Sequence, residues 1–267
     1  MTRHTHRHVS AGRALAFVSL SLVAGVSLSL AGLGGGAASA ALAKSKSTTT
    51  TKPKTTTTTA TSGTVVSAAD TWLIKAIGAE QKVGSVIVNA TEQQGKTKRT
   101  ITLLVNGDGE GSGTFVQEGS LINMELVGPL LYFKAPKAYW ASHSTAAQAT
   151  QYGGKWIEVS ALDSRFQAFD EFFNPEELVA SVFQGHAKPL ILSRPSTPFM
   201  GHKVAIVSES VTTAGKTSSG KMYIAATGKP QVLKIIDKAP GMSTTIVFSH
   251  YGKAVPITTP PEPINLT

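Results

Sequence analysis

The sequence predicts an α+β fold in which short antiparallel strands pack against helices. Apolar residues alternate with polar residues over several short stretches, turn residues separate these stretches, and the order along the chain is helix, strands, helices, strands. Alternation with a period of two is typical of half-buried antiparallel strands. A parallel βαβ fold is disfavoured because strands and helices do not alternate.

The first predicted elements are a helix and two amphipathic strands. Residues 67–81 carry a helical stripe of mixed polarity, and Ser67 is a suitable N-cap for this helix. Residues 100–105 and 121–126 alternate, so each stretch places three apolar side chains on one face. Glycine-containing turn signals follow each stretch, which predicts a meander of short strands.

The middle of the chain is predicted to be helical. Residues 135–151 are rich in alanine, and residues 163–173 place three phenylalanines at positions i, i+3 and i+7. Asn174 and Pro175 then predict the N-cap and first position of another helix, which continues to about residue 185. The last third returns to short strands, which cover residues 204–206, 222–224, 232–236 and 246–248.

The charge of the chain is concentrated outside the predicted domain. The full sequence has 25 Lys and Arg against 16 Asp and Glu, a formal net charge of +9. Residues 1–63 contain seven of the basic residues and no acid, so residues 64–267 are nearly neutral. A nucleic-acid-binding face is therefore not expected. The absence of cysteine excludes disulfides, thiolate metal sites, a cysteine nucleophile and lipidation of a cysteine.

Residues 1–43 have the organisation of a secretory signal peptide. A basic segment precedes an uncharged apolar run of about 20 residues and two A-x-A sites that end at Ala40 and Ala43. The alternative is an uncleaved signal anchor, because a run of this length can just span a bilayer. Residues 44–63 are rich in Thr, Lys and Pro and are predicted to be a disordered linker. The folded domain is expected to cover residues 64–267, exported to the periplasm, the cell surface or the medium.

No motif indicates an enzyme, a cofactor or a metal site. The histidines of the predicted domain are scattered singly, and the G-x-S-x-G motif of a nucleophile elbow is not present. Acidic residues cluster at positions 163–177, where a glycosidase could use a pair of carboxylates. On amphipathic helices such residues more often form the solvated face. A secreted hydrolase that uses this cluster is therefore a minor alternative.

Aromatic residues are concentrated in one part of the chain, with ten of them between positions 132 and 173. They form either an ordinary domain core or the lining of an apolar cavity between sheet and helices. A pattern of aromatic residues and glycines in this region resembles the actinobacterial LppX/LprG-type lipoproteins, relatives of the LolA and LolB carriers. The pattern comprises VGPLLYFK at 127–134, Trp140, GKWIEV at 154–159 and GKMYI at 220–224.

The resemblance covers roughly residues 65–261. It implies an antiparallel curved sheet, a LolA-like half-barrel, wrapped around helices that close an apolar cavity. It also implies a non-enzymatic carrier of acylated lipids or lipoproteins. Family members are commonly anchored through a lipidated cysteine, which this chain lacks. The protein is therefore expected to be released, or to be retained by an uncleaved N-terminal segment.

Strand parity and the helical stripe predict which side chains line that cavity. The candidates are Ile101, Leu103, Phe115, Ile122, Met124, Leu126, Phe166, Phe169 and Phe173. The expected partners are an acylated lipid or lipoprotein and, transiently, a membrane surface, and the protein is expected to be a monomer without a cofactor. The alternative function is an envelope sensor or protein-interaction module built on the same fold.

Overall fold

The structure, a computed structural model, describes residues 67–162, 172–181 and 190–266. The helices are α1 (Ala68–Glu80), α2 (Lys137–His143), α3 (Ala146–Tyr152) and α4 (Pro175–Ser181). The first six strands are β1 (Ser85–Gln94), β2 (Thr97–Asn106), β3 (Gly111–Gln117), β4 (Ser120–Val127), β5 (Leu130–Lys134) and β6 (Trp156–Ser160). The remaining strands are β7 (Ile191–Ser193), β8 (Val204–Thr213), β9 (Lys216–Ala225), β10 (Val232–Ala239), β11 (Met242–Gly252) and β12 (Ile264–Asn265).

The twelve strands form one open sheet in the order β12-β6-β5-β4-β3-β2-β1-β11-β10-β9-β8-β7. Every neighbouring pair is antiparallel except β12 and β6, which pair in parallel through Ile264 and Asn265. The sheet does not close, because β12 and β7 lie at its opposite edges. The predicted α+β class with a large antiparallel sheet is confirmed, and the single parallel pair at the edge is an addition to it.

One face of the sheet packs against the helices. Alternate residues of the strands, together with side chains from all four helices, form one cluster of buried apolar residues. The opposite face carries a much smaller cluster, built around Val204, Ala225 and Leu233. We call the face that meets the helices the core face. Among the described residues, no helix is both long enough and apolar enough to cross a membrane.

Helix α1 begins and ends as its sequence predicts. The Ser67 hydroxyl accepts a hydrogen bond from the Asp70 backbone N–H, and the Asp70 carboxylate accepts one from the Ser67 N–H, which forms a capping box. Leu73, Ala76 and Glu80 are buried because their spacing places them on one side of the helix. An ionisable residue therefore occupies a core position at the end of α1.

The predicted helical region at 135–151 is divided into two short helices. Ser144 is the C-cap of α2, and Thr145 caps α3, with its hydroxyl accepting a hydrogen bond from the Gln148 N–H. Trp140 of α2 is completely buried, with its ring 5.6 Å from that of Phe133 and 5.2 Å from that of Tyr152. These aromatic contacts hold α2 and α3 against β5.

Helix α4 follows the predicted cap. The Asn174 side-chain oxygen accepts a hydrogen bond from the Glu177 N–H, and Pro175 occupies the first helical position. Phe172 and Phe173, which precede it, are buried. The rest of the helix predicted at 163–173, and the predicted continuation to residue 185, lie largely outside the described residues.

Candidate ligand-binding site

The six strand residues predicted to line a cavity all lie buried on the core face. Strand register joins them into rows that run across the sheet. Ile122, Phe115 and Ile101 are direct neighbours in one row, whereas Met124 and Leu103 flank Gly113 in the next. Leu126 belongs to a third row, opposite Gly111. The three rows form a continuous apolar surface because the pleat directs alternate side chains to the same face.

The row through Ile101 crosses eight strands. Its members, all buried, are Ile122, Phe115, Ile101, Ala90, Ile246, Ile235, Met222 and Val207. At a strand spacing of about 4.8 Å, this row is about 34 Å long. In the perpendicular direction the apolar surface covers five residues along β4, from Ile122 to Leu126, whose four steps span roughly 14 Å. One leaflet of a bilayer offers an acyl chain about 15 Å of hydrocarbon depth.

A polar row ends the apolar surface on the side of the β1–β2 and β3–β4 turns. It crosses the same eight strands through Ser120, Gln117, Arg99, Glu92, Thr244, Asp237, Gly220 and Glu209. The Arg99 guanidinium donates a hydrogen bond to the Glu92 carboxylate at 3.0 Å, and Glu92 is buried. Burial raises the pKa of Asp237, although a hydrogen bond from the Lys238 backbone opposes this effect. The core face is therefore amphipathic along the strand direction.

A cavity opens at the other end of the apolar surface. It has a volume of about 310 Å³, and we call it the mouth cavity. Its apolar side chains are Leu126 and Phe173, and its other lining residues come from the β2–β3 turn, the β4–β5 turn and Asn174. Two of the predicted lining residues therefore meet at this opening, one from the sheet and one from the segment before α4.

Gly111 makes room for the aromatic side chain at the mouth cavity. A Cβ atom at position 111 would lie 2.8 Å from Cδ1 of Phe173 and 2.6 Å from the Leu104 carbonyl oxygen. Both distances are shorter than real Cβ contacts allow, so the strand approaches the ring closely because it lacks a side chain there. The glycine-rich sequence at 107–113 thus forms a turn and then a strand that accepts Phe173.

Part of the predicted cavity lining lies outside the described residues. Phe166 and Phe169 lie outside the described residues, as do Asp163, Asp170 and Glu171 of the acidic cluster. The enclosure of a cavity by the predicted helix at 163–173 therefore stays a prediction. Within the described ranges, no three histidine or acidic side chains come together as a possible metal site.

Glu80 is a buried group that the sequence prediction did not single out. Its side chain is 2% exposed, and its Oε1 atom accepts a hydrogen bond from the Val232 N–H at 3.0 Å. The same oxygen lies 3.0 Å from the Tyr251 hydroxyl, which also lies 2.5 Å from the Val232 carbonyl oxygen. Burial raises the pKa of Glu80 to about 7, although both hydrogen bonds lower it.

The Tyr251 hydroxyl lies between two acceptors. It has a single hydrogen, which it shares between the Glu80 carboxyl and the Val232 carbonyl. The signal in the sequence was the spacing of Glu80 with Leu73 and Ala76, which places a carboxyl on the core stripe.

No protein-family model matches the chain, and no curated protein matches it. Solved structures do resemble it. The lipoprotein LppX of Mycobacterium tuberculosis has 10% identity and a TM-score of 0.47, covering 72% of this chain and 98% of that chain. LprF of Mycobacterium bovis has 13% identity and a TM-score of 0.45, covering 72% of this chain and 96% of that chain.

The MucA/MucB complex of Pseudomonas aeruginosa has 14% identity and a TM-score of 0.35, covering 71% of this chain and 59% of that chain. The first two structures are lipoproteins of the type that the sequence resembles. At these identities the likeness concerns the fold alone and assigns neither a ligand nor a partner to this chain.

Proposed function

We propose that the protein is an exported, non-enzymatic carrier of the cell envelope that holds the acyl chains of a lipid or lipoprotein against its core face. The observation that carries this proposal is the continuous apolar surface on β2, β3 and β4, which ends at the mouth cavity between Leu126 and Phe173. An acyl chain entering there would lie along the strands and meet the polar row at its far end.

The energy of acyl transfer explains why such a protein is needed. Each buried CH₂ group contributes about 0.8 kcal/mol, so a 16-carbon chain favours an apolar environment over water by roughly 12 kcal/mol. A free lipid does not cross an aqueous compartment against this difference. A carrier offers a surface nearly as apolar as the membrane, and the buried rows of the core face have this character.

The proposal includes the organisation of the whole chain. Residues 1–43 direct export, residues 44–63 form a spacer, and residues 64–267 form the carrier domain. Because the chain has no cysteine for a lipid anchor, the domain either diffuses after cleavage or stays attached through its N-terminal segment. In both cases its contact with a membrane surface is transient.

A pair of tryptophan substitutions on β4 tests the proposed route of entry. Leu126→Trp places a bulky indole ring in the mouth cavity. Leu121→Trp adds the same ring on the opposite face of the sheet, where Leu121 is 51% exposed. Uptake of a fluorescent fatty acid by delipidated protein is followed by stopped-flow fluorescence. We expect slower uptake in Leu126→Trp and an unchanged rate in Leu121→Trp.

The experiment tests the route of acyl-chain entry and the carrier function separately. Equal rates in the two variants would contradict entry through the mouth cavity. Absence of uptake by the unsubstituted protein would contradict the carrier function itself. A second candidate, a protein-interaction module, would then be favoured, because β7 is an edge strand among the described strands and exposes Ile191.

A further inference from the structure

Four lysines surround a second cavity at the same end of the sheet as the mouth cavity. This cavity has a volume of about 610 Å³. Lys75 and Lys82 come from α1 and the turn after it, Lys229 from the β9–β10 turn, and Lys253 from the residue after β11. We call this cavity the lysine pocket. Its size falls in the range of about 300–1,000 Å³ that is usual for small-molecule sites.

The lysine pocket is positively charged as far as its described lining shows. Its lining includes no acidic side chain, and Gln231 and Tyr251 are its other polar side chains. None of the four lysines forms an ion pair with another described residue. Four ammonium groups without a carboxylate repel one another, so a bound anion would relieve this repulsion.

Two acidic groups close to the pocket are engaged in other contacts. Glu80 is buried beneath the pocket and interacts with Val232 and Tyr251. Because burial raises its pKa to about 7, it carries only part of a negative charge at neutral pH. Glu176 of α4 accepts a hydrogen bond from the Gln81 side chain at 2.6 Å. Neither carboxyl belongs to the lining.

The negative end of the α1 dipole lies beside the pocket, so the lysines must outweigh it to bind an anion. The carbonyl oxygens of Ala79 and Glu80 at the end of α1 are partly satisfied, because they accept hydrogen bonds from the N–H groups of Lys82 and Val83, at 3.2 Å each. Lys75 is positioned by an aromatic contact instead of a carboxylate, with its Nζ atom 5.5 Å from the centre of the Trp72 ring.

We propose that the lysine pocket binds a phosphorylated group that bears two or more negative charges. Lysine ammonium groups bind phosphate oxygens as point charges, and the four lysines approach the cavity from three separate segments. The phosphate can belong to a lipid headgroup or to a soluble organic phosphate. The lining includes no residue of the three apolar rows, so the site is independent of acyl binding on the core face.

The pocket is nevertheless close to the mouth cavity. The Gly107 N–H donates a hydrogen bond to the Gly84 carbonyl at 3.1 Å. Gly84 lines the lysine pocket, and the residues directly after Gly107 line the mouth cavity. A phosphate in the lysine pocket would therefore lie beside the proposed entrance for acyl chains.

Two probes with the same phosphate monoester test the proposal and distinguish its sources. Glycerol 3-phosphate has no acyl chain, and dihexanoyl phosphatidic acid is used below its micelle concentration. Both are titrated calorimetrically into the protein purified from an exporting host, with glycerol as the uncharged control. We expect binding of at least the phosphatidic acid, with an affinity that falls as salt is added.

Lysine-to-glutamine variants connect the binding to the pocket. Lys82→Gln and Lys253→Gln are each expected to weaken binding by about fivefold, the upper end for an exposed charge pair, and the double variant by at least about tenfold. The matched control is the double variant of Lys96→Gln and Lys216→Gln. It removes the same charge from the opposite end of the sheet, at the β1–β2 turn and the first residue of β9.

Each outcome supports or overturns phosphate binding in the lysine pocket. Lysine-dependent binding of both probes identifies the phosphate group itself as the ligand, whereas lysine-dependent binding of the lipid alone identifies a headgroup. Binding of neither probe overturns the proposal, as does equal weakening by the pocket variant and the control variant, which would indicate only a general effect of net charge. Fatty-acid uptake is measured separately, so failure here leaves the carrier function to its own test.

Discussion

Replacing Glu80 with glutamine should remove a pH-dependent loss of stability. The folded-state pKa of Glu80 is about 7, against an ordinary value of 4.5. At about 1.4 kcal/mol for each tenfold difference in proton affinity, this corresponds to about 3 kcal/mol. The carboxyl is buried, so solvent screening does not reduce this effect greatly.

The direction of the effect follows from proton linkage. Below pH 4.5 Glu80 is protonated in both the folded and the unfolded state, so folding buries no charge at this position. As the pH rises from 4.5 to 7, the unfolded chain releases the proton while the folded protein retains it, so the free energy of unfolding falls. Above pH 7 the loss is complete and the contribution becomes constant.

The Glu80→Gln variant keeps the hydrogen bonds and loses the ionisation. The amide oxygen takes the place of Oε1 and can accept from both the Val232 N–H and the Tyr251 hydroxyl. We therefore expect the stability difference between the variant and the unsubstituted protein to grow by about 3 kcal/mol in favour of the variant between about pH 4 and pH 8.

Urea denaturation followed by tryptophan fluorescence at a series of pH values measures this difference. Glu177→Gln, which removes an exposed carboxyl, is the control and should retain the pH dependence of the unsubstituted protein. Stability profiles of Glu80→Gln and the unsubstituted protein that stay parallel over this range would refute the reasoning, because they would show that Glu80 ionises normally in the folded state.

Three further substitutions test local features of the fold, each by urea denaturation at fixed pH. Gly111→Ala should destabilise the protein by about 1–3 kcal/mol, because the new methyl group would lie against Phe173, and an unchanged midpoint would contradict this packing. Gly78→Ala, where a Cβ atom meets nothing within 4 Å, should stabilise α1 by about 0.5–1 kcal/mol; a loss of stability would contradict the open space there. Ser67→Ala should cost about 1 kcal/mol by removing the cap that Asp70 completes, and a neutral effect would show that the capping box does not contribute.

Features set by neighbouring residues could be predicted from the sequence. Ser67 caps α1 and Asn174 caps α4 because a polar side chain bonds to the backbone three residues later. Strands β2 and β4 alternate cleanly, so their parity predicted which side chains face the core. These signals act over a few residues and do not need the rest of the fold.

Features set by distant residues could not be predicted in this way. Glu92 interrupts the apolar alternation of β1, and it is buried beside Arg99 of the next strand, which pairs with it. Strand β12 has two residues and no periodicity, and its pairing with β6 depends on hydrogen bonds such as that from the Leu266 N–H to the Glu158 carbonyl.

The mouth cavity and the lysine pocket are also formed by residues that are distant in the sequence. The lysine pocket combines residues from α1, the β9–β10 turn and the end of β11, which are adjacent only after the sheet order is established. Its charge is invisible in the composition of residues 64–267, which are nearly neutral overall. The mouth cavity likewise needs the glycine at position 111 to meet Phe173, more than 60 residues along the chain.

Native mass spectrometry of the protein, purified from an exporting actinobacterial host without detergent, tests the carrier function most directly. The proposal predicts a mass excess over the polypeptide, together with an acylated lipid of the same mass in an organic extract. A bare polypeptide mass, combined with no uptake of a fluorescent fatty acid, would contradict it.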